Sequence, residues 1–236
     1  MIRKPKSEIR DLAEPRFRLM LRYLLLDLDN TVYSQSCGLW EAIGARIDLY
    51  MVSRLGMHCS EVSAQRDKYM NEFGTTLNAL RHYHGVDPNE FLAFVHDIPL
   101  GEYLAADSAL DSMLGRLPLG KVIFTNADAL HARRVLAQLG IAHHFERIID
   151  IWTLEFVNKP DLRAYVTALQ MVGAQPEECI FVDDCSPNLV AARSVGIVTV
   201  QVCDGRSPDN GAADYSIRSI CELEPIITDL MDRPEQ

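Results

Sequence analysis

Short apolar runs recur along this sequence, and polar or turn-forming residues bound each of them. Runs of this kind are typical of the buried strands of a parallel sheet, which are covered on both faces. They lie at residues 23–26, 122–124, 148–151, 180–182 and 198–202. Each run therefore predicts one strand.

Amphipathic segments separate the later strands. Apolar residues recur at helical spacing over 132–139, 162–172 and 189–195, and a glycine follows each segment directly. Glycine after the last helical turn is a common stop signal. Strands that alternate with helices through short connections predict right-handed βαβ units. The expected fold is therefore α/β, a doubly wound, Rossmann-like parallel sheet.

The connection between the first two strands is much longer than a crossover requires. Roughly 90 residues lie there, whereas about a dozen would suffice. Candidate helices in this stretch lie at 39–55 and near 60–73, 75–84 and 88–97. We therefore predict a helical cap over 35–107, inserted into a core formed by 20–34 and 108–232. The cap leaves the carboxyl end of the first strand, where it can act as a lid over a bound ligand.

Composition narrows the classes of partner. The 236 residues carry a formal charge of −10, which argues against nucleic acid and anionic membrane surfaces. A hydrophobic content of 48% supports a core of ordinary size. No run approaches about 18 consecutive apolar residues, so we expect no membrane span. These features predict a cytoplasmic protein, either a monomer or a homodimer.

The first 19 residues are rich in basic side chains. Glu8, Asp11 and Glu14 interrupt them, and neither an apolar signal core nor a cleavage site follows. We interpret residues 1–19 as a solvated tail or an extra helix, with mitochondrial targeting as the alternative.

The cysteines and histidines give no metal-binding motif. The six cysteines lack CxxC or other short metal-ligand spacing, as expected for reduced thiols in a cytoplasmic protein. His82, His84 and Cys59 can be drawn around a zinc ion. Ordinary polar positions explain these three residues more simply, and we give zinc little weight.

Two carboxylates follow the first strand directly, in the sequence DLDNT. Because Asp27 and Asp29 lie two residues apart on chain that is leaving a strand, their side chains can converge on one point. The same sequence is rich in turn formers, so an ordinary loop explains it equally well. This motif alone does not decide between a site and a loop.

The later strands also end in polar residues with candidate roles. Thr125 and Asn126 can hold phosphate oxygens or begin a helix, and Lys159 can bind an anion or lie on the surface. Asp183 and Asp184 suit a hard cation such as Mg²⁺, or a helix N-terminus. The carboxyl ends of parallel strands meet at one edge of a sheet, so their joint occurrence favours an active site.

These residues, in this order, resemble the four motifs of the haloacid dehalogenase superfamily. The resemblance extends from about residue 20 to 230 and includes the helical insert, which is similar to the helical cap of that superfamily. The segments EFGTTLNALRHYHGVD and VHDIPLGEYL resemble its pyrimidine 5′-nucleotidase branch. The resemblance implies a Mg²⁺-dependent phosphomonoester hydrolase that acts on a phosphorylated small molecule.

The resemblance also assigns the catalytic roles. It implies that Asp27 is the nucleophile, that Asp29 is first the general acid and then the general base, and that Lys159 stabilises charge. Thr125 and Asn126 would bind the phosphate together with Lys159. Phosphoryl transfer requires positioning and charge neutralisation, which agrees with these residue types.

The same resemblance supplies the metal ligands. Mg²⁺ would bind the carboxylates of Asp27 and Asp184 and the backbone carbonyl of Asp29. Asp183 also belongs to the expected metal site, but it matches a position that more often lies beside the metal than on it.

Three alternatives use similar residues. A receiver domain carries its acidic pair after the first strand, whereas Asp183 and Asp184 come last here. A haloacid dehalogenase lacks the second carboxylate, so Asp29 argues against it. A phosphotransferase or mutase would use Asp27 and Asp29 in the same way, and this alternative stays open.

The substrate also stays open among nucleoside monophosphates, phosphoglycolate and sugar phosphates. The resemblance of the cap makes UMP and CMP the first candidates. Tyr50, Phe73 and Asn78 are side chains that can contact a base. Packing inside the cap explains each of them equally well.

Overall fold

A computed structural model of the chain describes residues 21–208 and 211–232. Its strands are β1 (Tyr23–Leu26), β2 (Gly120–Phe124), β3 (Arg147–Ile149), β4 (Cys179–Asp183), β5 (Val198–Val202) and β6 (Tyr215–Ile217). They form one parallel sheet in the order β3-β2-β1-β4-β5-β6. Since the strand order reverses at β1, the sheet is doubly wound and its ligand-binding edge lies at the carboxyl end of β1. The predicted fold class is confirmed.

Helices connect the strands. They are α1 (Leu39–Leu55), α2 (Val62–Phe73), α3 (Thr76–His84), α4 (Pro88–Val95), α5 (Ser108–Arg116), α6 (Ala129–Leu139), α7 (Leu162–Val172), α8 (Ser186–Ser194) and α9 (Leu223–Asp232). Within residues 21–208 and 211–232, no helix is both long enough and apolar enough to cross a bilayer. The interpretation of residues 1–19 concerns a segment outside the described residues.

Both faces of the sheet are buried, as the apolar strands predicted. In β1, Leu24 and Leu26 belong to one hydrophobic cluster and Leu25 belongs to another, and all three side chains are fully buried. Successive side chains of a strand point to opposite faces, which explains this division. The sheet therefore gives the strand ends a rigid base.

The helices α1–α4 bury a third hydrophobic cluster of their own. Its members include Tyr50, Met51, Leu80 and Phe91, and Ile151 joins it from the chain after β3. We propose on this basis that residues 35–107 form the cap, and that 20–34 with 108–232 form the core. The two ends of the cap pack on the core cluster.

The third predicted strand is shorter than expected. It was predicted over 148–151 but ends at Ile149. Asp150 accepts hydrogen bonds from the backbone N–H groups of Ala129 and Thr153, which turns the chain out of the sheet. Ile151 then packs into the cap cluster. Ile151 is apolar because it packs against the cap, which explains why the sequence pattern assigned it to the strand.

Candidate active site

A buried lysine joins two of the strand ends. The Lys159 ammonium donates to Asp27 Oδ1 and to Asp183 Oδ2, both at 2.8 Å. Its Nζ also lies 5.2 Å and 4.9 Å from the ring centroids of Phe124 and Phe181. Burial lowers the pKa of Lys159, but the two carboxylates raise it more, so the ammonium stays charged.

The backbone of Lys159 is held by Asn126. Lys159 N–H donates to Asn126 Oδ1 at 2.9 Å, and Asn126 Nδ2 donates back to the Lys159 carbonyl at 3.1 Å. Two residues shortly before it, Glu155 and Phe156, have left-handed backbone conformations with φ of 51° and 66°. Such conformations are costly for residues other than glycine, and they turn the chain sharply into the site.

Thr125 lies beside Asn126 and is almost completely buried. Its Oγ1 accepts from the Ala127 N–H at 3.0 Å, so the hydroxyl hydrogen remains for a ligand. Both Thr125 and Asn126 line the cavity at this edge. The side-chain amide of Asn126 positions Lys159, and the role of Asn126 in phosphate binding stays a prediction.

The two carboxylates at the end of β4 have different surroundings. Asp183 is fully buried, and its oxygens accept from Lys159, from Asn188 Nδ2 at 3.0 Å and from the Cys185 N–H at 2.7 Å. Asp184 lines the cavity and accepts from Arg206 at 3.3 Å. Asp184 is therefore the carboxylate open to a ligand.

The site carries more negative charge than Lys159 neutralises. Ligand oxygens of Asp27, Asp183 and Asp184 lie within 4.8 Å of one another. Burial raises the pKa of Asp27 well above its usual range, although Lys159 lowers it, and the neighbouring carboxylates add to the increase. Burial and Asp183 likewise raise the pKa of Asp184 to about 6. Oxygen donors with an excess of negative charge fit a hard divalent cation such as Mg²⁺.

Asp29 lies at the same edge in a more strongly hydrogen-bonded position. Its Oδ1 accepts from Tyr33 Oη at 2.5 Å and lies 3.3 Å from His131 Nε2. Burial alone would raise the pKa of Asp29, but these hydrogen bonds and the nearby imidazoles lower it overall. Burial and Asp29 raise the pKa of Tyr33 well above its usual range, so its hydroxyl remains a donor.

Sequence reasoning missed the partners of Asp29. Tyr33 follows it by four residues, and that spacing in DNTVY is the one local signal. His131 lies on α6, and its ring stacks on His96 from the cap with centroids 4.1 Å apart. The spacing of the histidines along the chain gives no indication of this contact.

A cavity of about 1190 Å³ lies between the cap and the strand ends. On the core side it is lined by Asp27, Asp29, Thr125, Asn126, Lys159 and Asp184. The cap contributes Trp40, Phe73 and Asn78 among others. Tyr50 is 2% exposed and packs edge-on against Phe91 inside the cap, so it has a packing role.

The cap also contacts the strained segment before Lys159. Asn78 Nδ2 donates to the Phe156 carbonyl at 2.8 Å and hydrogen-bonds Asn158 Oδ1. The Arg81 guanidinium carbon lies 3.5 Å from the centroid of the Phe156 ring. At Gly74, with φ of 73°, an added Cβ would lie 2.3 Å from the Asn158 amide nitrogen. Glycine is therefore required where the cap approaches this segment.

We expect Gly74→Ala to displace Asn158 and with it Lys159, and so to lower kcat for any phosphate ester. Gly85→Ala is the matched control, because Gly85 also ends a helix with positive φ (62°) but has open space around it. Both variants should lose about 1–2 kcal/mol of unfolding free energy from the left-handed conformation. Equal kcat values in the two variants would show that the contact does not position Lys159.

Known proteins resemble this chain in sequence and in fold. The sequence profile of the haloacid dehalogenase-like hydrolases matches residues 21–196. Phosphate metabolism protein 8 of Saccharomyces cerevisiae is 28% identical over 194 residues, which cover 75% of this chain and 60% of that protein. Glyceraldehyde 3-phosphate phosphatase of Methanopyrus kandleri is 24% identical over 233 residues, which cover 89% and 99%.

A solved structure shares the fold. The magnesium-bound crystal structure of the HAD-hydrolase YfnB from Bacillus subtilis has a TM-score of 0.61 and 15% identity, covering 89% of this chain and 99% of that one. Since the family profile covers more than half of the chain, this protein belongs to the haloacid dehalogenase-like hydrolases.

Proposed function

We propose that this protein is a Mg²⁺-dependent phosphomonoester hydrolase that forms an aspartyl-phosphate on Asp27. The observation that carries the proposal is the contact of Lys159 with Asp27 at the ligand-binding edge of the sheet. The open carboxylate of Asp184 and the hydrogen-bonded carboxylate of Asp29 lie at the same edge. These groups supply a nucleophile, a fixed positive charge, a metal ligand and a proton carrier.

The first step of the proposed reaction is binding. Two N–H groups of Lys159 are used by Asp27 and Asp183, so the third remains for a phosphate oxygen, and the Thr125 hydroxyl also has a hydrogen to donate. The carboxylates of Asp27 and Asp184 and the Asp29 carbonyl would hold Mg²⁺. When bound, the ion neutralises charge on the phosphate and on the carboxylates.

The second step transfers the phosphoryl group. An Asp27 oxygen forms a bond to phosphorus while the ester P–O bond breaks, and Asp29 gives its proton to the leaving oxygen. Asp29 takes up that proton from solvent when the substrate binds, because the negative charge of the phosphate raises the pKa of Asp29. Water then attacks phosphorus and gives a proton to Asp29. The bond from phosphorus to Asp27 breaks, which regenerates the carboxylate.

A phosphotransferase or mutase would use these residues in the same way, with another hydroxyl in place of water. Hydrolysis is proposed because the Methanopyrus kandleri relative is named as a phosphatase and because water needs no binding site for a second substrate. The cytoplasmic location and the choice between monomer and homodimer stay predictions.

We propose a nucleoside 5′-monophosphate as the substrate, with UMP and CMP as first candidates. The cavity has room for a nucleoside beside the phosphate, since sites for small molecules of this size occupy about 300–1,000 Å³. Trp40 lines the cavity and is 41% exposed, so a base can stack on its ring. The preference for pyrimidines rests on the sequence resemblance of the cap.

The excess of negative charge on the cavity wall favours a substrate whose leaving group is uncharged. Eight Asp and Glu residues line the cavity against three Lys and Arg residues. Each of these cations is already paired with a carboxylate, namely Lys159 with Asp27, Arg66 with Asp48 and Arg163 with Asp161. Among the described residues, Glu41 and Asp67 of the cap have no ion-pair partner. A carboxylate on the leaving group, as in phosphoglycolate, would meet this negative wall.

The metal requirement should depend on Asp184. Chelator should abolish activity and Mg²⁺ should restore it, and Asp184→Asn should strongly raise the Mg²⁺ concentration for half-maximal rate. Asp183→Asn should change that concentration less but cost about 3–5 kcal/mol of unfolding free energy, because it removes one partner of a buried ion pair. Full activity in excess chelator would refute the metal assignment. Equal changes in Mg²⁺ requirement would show that the ligands are misassigned.

Substitution of the two carboxylates after β1 should impair the reaction at different steps. Asp27→Asn should abolish both turnover and acid-stable phosphoenzyme in quenched reactions, because the nucleophile is gone. Asp29→Asn should still be phosphorylated by an activated aryl phosphate, whose leaving group needs no proton, and should then stall. Near-normal turnover by Asp27→Asn would mean that water attacks the ester directly.

The preference for an uncharged leaving group should appear in kcat/KM. UMP and CMP should exceed phosphoglycolate by at least tenfold, a margin of about 1.4 kcal/mol. The Glu41→Gln/Asp67→Asn double variant should narrow that ratio. Each of these cap carboxylates, at roughly 8 Å from the carboxylate of phosphoglycolate, would repel it by about 0.5–2 kcal/mol. Glu90→Gln/Asp97→Asn removes two cap carboxylates outside the cavity lining and is the control. A tenfold preference for phosphoglycolate or a sugar phosphate would exclude the nucleotide and leave the hydrolase proposal intact.

A further inference from the structure

Behind Asp29 lies a buried group of polar side chains that phosphate and metal binding do not use. Tyr33 and His131 both contact the same oxygen of Asp29, Oδ1. The carboxylate is therefore fixed through Oδ1, and Oδ2 remains for proton exchange with the substrate. Asp29 lines the cavity, so this second oxygen has access to a ligand.

Within the described residues, the imidazole of His131 makes one hydrogen bond, the contact with Asp29. Its side chain is 0% exposed, and Nε2 is the protonated nitrogen, because an ionised carboxylate can only accept. The other nitrogen, Nδ1, is buried without a hydrogen-bond partner in the described part of the chain. Such a group costs about 1–3 kcal/mol. The contact of Nε2 with Asp29 is therefore the hydrogen bond that explains a histidine at this position.

The cap contacts a face of the same imidazole ring. His96 stacks on His131 with an interplanar angle of 15°, and its Nδ1 contacts Asp128 Oδ2 at 2.6 Å. The other oxygen of Asp128 accepts from the His131 backbone N–H at 2.9 Å. Arg134 of α6 donates to the carbonyls of His96 and Ile98, each at 2.7 Å. The end of α4 is thus clamped onto the helix that carries His131.

We propose that His131 is a positioning residue for Asp29, and that His96 is the part of the cap that holds His131 in place. Asp128 anchors both, since it caps α6 and bonds His96. The inference rests on the proposed function, in which Asp29 transfers protons. It adds a physical link from the cap to the proton carrier, so that the position of the cap controls the direction of Oδ2.

The experiment compares esters with good and poor leaving groups. His131→Leu removes the donor and keeps most of the volume, and it should lower kcat for UMP about 100-fold, within the range of general acid–base catalysis. Phosphorylation of Asp27 by dinitrophenyl phosphate should stay close to wild type, and hydrolysis of the phosphoenzyme should slow. His131→Gln, whose amide can replace Nε2, should recover part of the UMP rate. His143→Leu, at an exposed histidine outside the site, is the control.

Two further variants keep the test decisive if His131→Leu folds poorly. Tyr33→Phe removes the other donor to the same Asp29 oxygen and should give the same dependence on the leaving group. His96→Ala should lower kcat for UMP in the wild-type background but have little further effect in His131→Gln, because both act on one oxygen. Additive losses in this cycle would mean that His96 acts on the substrate independently.

Asp29→Asn separates the two levels of the proposal. Suppose that Asp29→Asn shows the dependence on the leaving group, but that His131→Leu and Tyr33→Phe lower the rates with UMP and with dinitrophenyl phosphate equally. The positioning role is then refuted, and the proposed reaction is not. If Asp29→Asn shows no such dependence, the proton-transfer role of Asp29 fails, and this inference fails with it. The same signature in Asp29→Asn, His131→Leu and Tyr33→Phe supports the positioning role.

Discussion

The buried ammonium of Lys159 holds the site together. Asp27 directly follows β1 and Asp183 ends the adjacent parallel strand β4, and the repulsion between these buried carboxylates would be costly without a cation between them. Burial that leaves Lys159 1% exposed therefore depends on both carboxylates, and their burial depends on Lys159. Because Lys159 bonds both carboxylates, the Asp27 carboxylate is oriented before a substrate binds. Such pre-organisation is what phosphoryl transfer requires from a protein.

The rest of the site supports that ion pair from outside. Asn126 fixes the backbone of Lys159, and the left-handed residues Glu155 and Phe156 bring the chain into position. Strain of this kind persists only where the surroundings compensate for it. Asn78 supplies that support from the cap. The cap is therefore part of the structure that seats Lys159 as well as a wall of the cavity.

Most of the core, and the clustering of the candidate site residues at one edge of the sheet, could be predicted because their signals are local. Strand, turn and polar residue follow one another in DLDNT, and the sheet topology brings such strand ends to one edge. The roles of individual atoms could not be predicted in this way. No local signal indicates that the side-chain amide of Asn126 bonds the Lys159 backbone. The enclosure of Asp183 by protein donors, beside the open carboxylate of Asp184, agrees with the resemblance but not with any local pattern. His131 and His96 lie on elements far apart in sequence, so only the packing of the cap reveals their contact.

The stereochemistry at phosphorus distinguishes a covalent intermediate on Asp27 from direct attack by water on the ester. A thiophosphate ester made chiral with oxygen isotopes would be hydrolysed in isotope-labelled water, and the configuration of the product would be determined. Attack by Asp27 and then by water are two in-line displacements, and each inverts phosphorus. We therefore expect net retention of configuration. Net inversion would show a single direct attack by water and would exclude the aspartyl-phosphate.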